Sequence, residues 1–97
     1  GELKGGDFLE GAPAFAVEVR SKNDYGERAE IAIAQKRADY FACATLVVWD
    51  VDVLREKVVR VYRADNPGNP KIYRQGDIAE AEPALPGWQI PVDEFIP

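Results

Sequence analysis

The sequence predicts an α/β fold, a mixed β-sheet crossed by one helix, within a single domain spanning residues 1–97. Three observations carry this expectation. Phe15 to Ser21 has the composition of a buried strand, Glu27 to about Ala42 concentrates strong helix formers, and Thr45 to Val51 is a nearly continuous apolar run. Such a run marks a strand covered on both faces. Strand, helix and strand follow within about 40 residues, the length of a crossover unit, so the two strands should run parallel.

Alternation in the first strand puts Phe15, Val17 and Val19 on one face and Ala16, Glu18 and Arg20 on the other. The apolar face should pack on a core. A carboxylate centred on the opposite face, between small residues, needs a cation, a metal or a hydrogen-bond donor. Two readings of Glu18-Val19-Arg20 stand at this point. It is a charged sheet face or an internal ion pair, or it is half of a metal-dependent nuclease site, with an acid for the metal and a cation nearby.

The remaining elements follow in order. Pro13 sits at the strand entrance, where a missing N–H is tolerated. Upstream of it, Gly5-Gly6-Asp7 and Glu10-Gly11 read as turns, with Leu3, Phe8 and Leu9 as docking points. Lys22 to Gly26 is a polar break, in which Asn23 or Asp24 would cap the helix and Glu27 would complete a capping box. On the helix, Ala29, Ala32, Ile33 and Tyr40 define an apolar face, and Lys36 falls on it, three residues after Ile33 and four before Tyr40. A lysine there is either an amphipathic side chain snorkelling at a core edge or a functional group. Asp52 to Lys57 is a polar turn, and Lys57 to Arg63 alternates as a half-exposed antiparallel strand, closing a hairpin from Trp49 to Tyr62. Ala64 to Pro70 carries turn chemistry, Lys71 to Arg74 a short strand, and Gln75-Gly76-Asp77 another turn. Ile78 opens an edge strand, Glu80 to Pro86 reads as loop, and Trp88, Ile90 and Val92 suggest a last strand whose indole packs on the sheet. Asp93 to Ile96 would form a terminal turn.

Composition narrows the chemistry. With 97 residues the chain can build one modest core. The absence of histidine excludes Ser-His and Cys-His nucleophile pairs and imidazole metal sites. Any metal would be held by oxygen, favouring Mg²⁺ or Mn²⁺ over Zn²⁺. One cysteine, Cys43 between two alanines, excludes an internal disulfide, reads as a buried filler and fits a cytoplasmic location. Gly1-Glu2-Leu3-Lys4 has no signal-peptide pattern, and no apolar run approaches the roughly 20 residues of a membrane span. A net charge of −5 gives no global attraction to nucleic acid, which argues against DNA coating. A local basic patch around Arg20, Lys22, Arg28, Lys36 and Arg37 remains compatible with that balance.

Several pieces together resemble one family. They are Pro13 to Ser21 with Glu18 and Ser21, then Lys36 and Tyr40, then Leu46-Val47-Val48-Trp49-Asp50, and then Val58 to Arg63. In the tail, Tyr73-Arg74-Gln75-Gly76 and Leu85-Pro86-Gly87-Trp88 complete the pattern. In order and spacing they are similar to the Uma-two family, a bacterial family of restriction endonuclease-like proteins. The resemblance implies a Pro-Asp-(Asp/Glu)-x-Lys nuclease core, a restriction endonuclease-like mixed sheet, here as the C-terminal part of the family domain. It implies a Mg²⁺-dependent DNA endonuclease in which Glu18 binds the metal and Lys36 is the catalytic lysine, moved from the strand to the helix. Ser21 would hydrogen-bond near the strand end, Tyr40 would support the lysine, and Arg20, in the place of the parent motif's lysine, would add positive charge. The family's Asp after Pro is Ala14 here, and its first metal-binding Asp belongs to an earlier strand, for which Asp7 is the candidate in this chain. With one carboxylate a site holds Mg²⁺ weakly, so the fragment would be inactive alone. The alternative is a non-catalytic module acting in DNA binding or protein assembly, where open sheet edges favour a homodimer.

Overall fold

Valine-rich runs become strands and the alanine-rich run becomes a helix, as side-chain branching dictates. The computed structural model describes residues 13–97. Its elements are β1 (Phe15–Val19), α1 (Glu27–Ala42), β2 (Val47–Asp52), β3 (Val58–Arg63), β4 (Asn66–Arg74), β5 (Ile78–Glu80) and β6 (Gln89–Pro91), followed by a 3₁₀ turn, Val92–Glu94. Strands β1 to β4 form one sheet in sequence order. The β1–β2 pair is parallel and joined through α1, as the crossover spacing requires, whereas β2–β3 and β3–β4 are antiparallel. Strands β5 and β6 make a separate two-stranded ribbon.

The sheet has two unlike faces. Val47, Trp49 and Val51 of β2 with Val59 and Val61 of β3 form the dry face, closed by Tyr73, Ala79, Ala81, Val92 and Ile96. Trp49 is its centre: its ring centroid lies 5.2 Å from Phe15, 5.5 Å from Trp88 and 5.9 Å from Phe95. Its indole N–H donates to the Glu80 carbonyl at 3.1 Å. Trp88, just ahead of β6, therefore packs on the sheet as expected. The tail is fastened by Glu80, whose carboxylate accepts hydrogen bonds from Arg63 and the Tyr73 hydroxyl, and from the Glu82 N–H at 2.8 Å. Cys43 is a buried filler at the end of α1.

The second face lies under α1 and is ionic: Ala16, Glu18, Asp50, Asp52 and Arg60 share it. None of the 16 helix residues is buried. Ala29, Ile33, Arg37, Tyr40 and Phe41 are half-buried, and the Arg37 guanidinium stacks 3.7 Å over the Tyr62 ring. Ala32 of the expected face is exposed.

Four expectations need correction. Val17 and Val19 do not join the core with Phe15; they are 45% and 61% exposed, because the aromatic cover from Trp49 and Trp88 meets the strand at Phe15. Strand β3 is not half exposed, since Val58, Val59 and Val61 are buried and Arg60, Tyr62 and Arg63 are half-buried, the first two on α1's side of the sheet and Arg63 against the tail. Asn66 to Pro70 is not turn but the start of β4: the tight turn is Ala64-Asp65, and the ladder shifts register between Val61 and Arg63. Both prolines fall opposite that shift on an edge strand, where no N–H is demanded. The helix cap is Gly26, at φ 95°, with no side-chain bond. Asp24 instead accepts from the Ser21 N–H at 2.8 Å and its hydroxyl at 3.0 Å.

Candidate functional site at the strand–helix cleft

Parallel register sets Glu18 of β1 beside Asp50 of β2, and antiparallel register sets Asp50 beside Arg60 of β3. A row of charge thus runs across three strands beneath α1. Residues four apart share a helix face, so Lys36 and Tyr40 descend together onto Glu18. Lys36 Nζ lies 2.7 Å from Glu18 Oε1, and the Tyr40 hydroxyl donates to Oε2 at 3.3 Å. The side chains of Lys36 and Glu18 are 59% and 34% exposed, so the pair sits at a rim within reach of solvent. The hydrogen bond to Glu18 pushes the Lys36 ammonium above the usual lysine range. Burial, followed by the charge of Glu18, raises the Tyr40 phenol. At neutral pH Lys36 is a cation and Tyr40 a neutral donor.

The pair opens onto a cleft of about 530 Å³ whose walls include Arg20, Asp24, Tyr25 and Arg28. Arg20 is its buried anchor. Its Nε and Nη2 donate to the two Asp50 oxygens at 2.8 and 2.9 Å, and Nη2 donates to Glu30 Oε1 at 2.9 Å. Nη1 bonds the other Glu30 oxygen and the Asp24 carbonyl, the latter at 2.9 Å. The bonds from Asp50 and then Glu30 raise the guanidinium's pKa, and the same contact holds the Glu30 carboxyl below its usual range. Two residues further along β2, on the same face, Asp52 accepts from the Tyr25 hydroxyl at 2.6 Å and the Arg55 N–H at 3.0 Å. Burial works to raise the Asp52 pKa, yet these bonds hold it low. Arg60 Nη1 is buried and makes no hydrogen bond among the described residues, lying 3.7 Å from Asp50.

Of the expected site residues, the structure brings Glu18, Lys36 and Tyr40 together. Arg20 lines the same cleft, but two carboxylates and a carbonyl consume its donors, so its charge is spent inside the fold. Ser21 does hydrogen-bond at the strand end, to Asp24. Asp7 lies outside the described residues. Among those residues no group of three or more His, Cys, Asp or Glu side chains is placed to hold a metal.

A family model described as Uma2, putative restriction endonuclease, matches residues 1–93. The chain belongs to the Uma2 family. None of the curated proteins matches it. Membership makes this a domain of a nuclease family, and the four-stranded mixed sheet with one α-helix among its described residues is consistent with a restriction endonuclease-like fold. No helix among the described residues is long and apolar enough to cross a membrane.

In this Uma2 domain the residues that sequence reasoning missed are Glu30, Asp50, Asp52 and Arg60. A signal for two of them existed: Asp50 and Asp52 stand two apart in an otherwise apolar strand, hence on one face, and buried acids require cations. Glu30 gave no such signal, because an acid in the first turns of a helix is already explained by the helix dipole.

Proposed function

We propose that this Uma2 domain hydrolyses DNA phosphodiester bonds with the help of Mg²⁺ or Mn²⁺, using Glu18 and Lys36. The observation supporting the reading is the 2.7 Å meeting of Lys36 Nζ and Glu18 Oε1 on the wall of an open cleft. Glu18 fits the cation: it is a part-exposed carboxylate, and Mg²⁺ takes one or two carboxylates beside water and phosphate oxygens. Asp50 does not fit, since Arg20 occupies both of its oxygens. Asp7 is the proposed second acid. The cation, when bound, supplies Lewis acidity and a more acidic water.

The chain's own residues do the rest. Lys36, held charged by Glu18, offsets negative charge on a phosphate oxygen; an ammonium with a raised pKa serves as a charge and not as a proton acceptor. Tyr40 fixes the second Glu18 oxygen and so the orientation of the carboxylate. Arg20 keeps β1, β2 and α1 at a constant spacing.

Plasmid nicking in Mg²⁺, comparing the parent with Glu18→Ala and Lys36→Ala, tests the assignment. Each substitution should lower the rate by about 100-fold or more, roughly 3 kcal/mol of transition-state stabilisation. Equal nicking by all three proteins rejects it. One observation favours a second reading, a non-catalytic module for DNA binding or assembly, including a homodimer: Lys36 and Tyr40 already engage both Glu18 oxygens. Under that reading the parent does not nick DNA, and millimolar Mg²⁺ leaves its melting temperature unchanged.

A further inference from the structure

We propose that Glu30 is a positioning residue: by gripping the buried Arg20 guanidinium from the helix side, it sets where α1 lies over β1 and so keeps Lys36 on Glu18. The proposal rests on the Glu18–Lys36 reading of the site.

A surface helix is ordinarily located by an apolar stripe pressed into a core, but α1 buries none of its residues. Its inward face meets an ionic sheet surface, and polar clamps locate it instead. On the sheet side Arg20 is immobile: its side chain is 6% exposed and forked onto Asp50, itself buried on the central strand β2. On the helix side, Glu30 meets the same guanidinium with both oxygens. Two parallel bonds between planar groups fix orientation as well as distance.

The second clamp is Lys36 on Glu18. At about 100° and 1.5 Å per residue, Glu30 and Lys36 lie roughly 9 Å apart along the axis, with Ile33 about 60° from each on the helical wheel. Ile33 is half-buried. The clamps therefore flank the inward ridge, one on either side, and together they prevent both rolling and lifting of α1. Without Glu30, the helix loses its bidentate anchor on that side and can roll about the Lys36 side, which moves Nζ off Glu18.

Solvent exchange of the Lys36 ammonium protons, followed by nuclear magnetic resonance in the whole chain at one fixed pH, tests this without requiring cleavage. In the parent the contact with Glu18 should make that exchange slower than for an exposed lysine. Glu30→Gln should remove at least half of the protection. Glu30→Asp keeps the counter-charge for Arg20 and shortens the reach by one methylene; it too should speed exchange, and it guards against a Gln variant that fails to fold. Glu80→Gln, which loosens the opposite face of the sheet, should leave Lys36 exchange unchanged. Exchange at the parent rate in Glu30→Asp reduces Glu30 to a counter-charge and overturns the proposal, as does an equal loss of protection in Glu80→Gln. A protein that never cuts DNA would count against the nuclease reading while leaving this protection intact.

Discussion

Arg20 and Lys36 are both paired cations in one cleft, yet substitution will separate them sharply. Removing Arg20 strands the Asp50 carboxylate, 2% exposed, with Arg60 at 3.7 Å as its remaining cation among the described residues. Breaking a buried pair in this way costs about 3–5 kcal/mol, so Arg20→Ala should shift a urea midpoint strongly downward. Lys36→Ala and Glu18→Gln break a rim contact with well-hydrated partners and should change stability by less than about 1 kcal/mol. A nicking defect in the latter two would then be chemical, since their urea midpoints should match the parent. Glu18 was legible in the sequence because an acid amid small and branched residues on a strand demands a partner, and Lys36 because it interrupts an apolar helix face. Arg20 was half legible. Its position on the site face follows from alternation, but its consumption by Asp50 and Glu30 depends on a sheet register and a helix azimuth that no local pattern encodes.

Among the elements, the tail shows most directly how charge fastens structure. Burial would raise the Glu80 carboxyl, but the bonds from Arg63, Tyr73 and the Glu82 N–H bring it down to about 2. A carboxyl depressed in the folded state lends stability above its unfolded pKa, near 4.5, and loses it as pH falls from there toward 2. Acid titration of the parent should therefore show a loss on the order of 2 kcal/mol between about pH 4.5 and 2, and Glu80→Gln should flatten that segment. Helix α1 matches its expected span, Glu27 to Ala42, because Gly26 on one side and the Cys43-Ala44 turn on the other delimit a run of good helix formers. Strand β4 defied its own residues. Asn66 to Pro70 reads as turn, and its extended path follows from pairing with β3, a tertiary choice that overrides local preference. The hairpin register of β2 and β3, with Trp49 opposite Val61, needed no such override.

At the scale of the whole molecule, a net charge of −5 means that DNA cannot be drawn in by the global field. Under the proposed function, affinity comes from the few cations at the cleft, chiefly Lys36 and Arg28. Each neutralised phosphate contributes about 0.9 to the slope of log affinity against log salt. Titration in Mg²⁺ should accordingly give a slope between about −1 and −3, far shallower than for a protein that coats the duplex. A steep slope near −8 would require a basic surface that the charge balance does not supply. The division of the sheet into an aromatic side and an ionic side carries an optical consequence. Both indoles, Trp49 and Trp88, stand together on the oily side, whereas α1 covers the other. Tryptophan emission will thus follow the melting of the rear packing rather than a helix swinging away from Glu18, for which Tyr40 on the helix and Tyr62 beneath Arg37 are the native reporters.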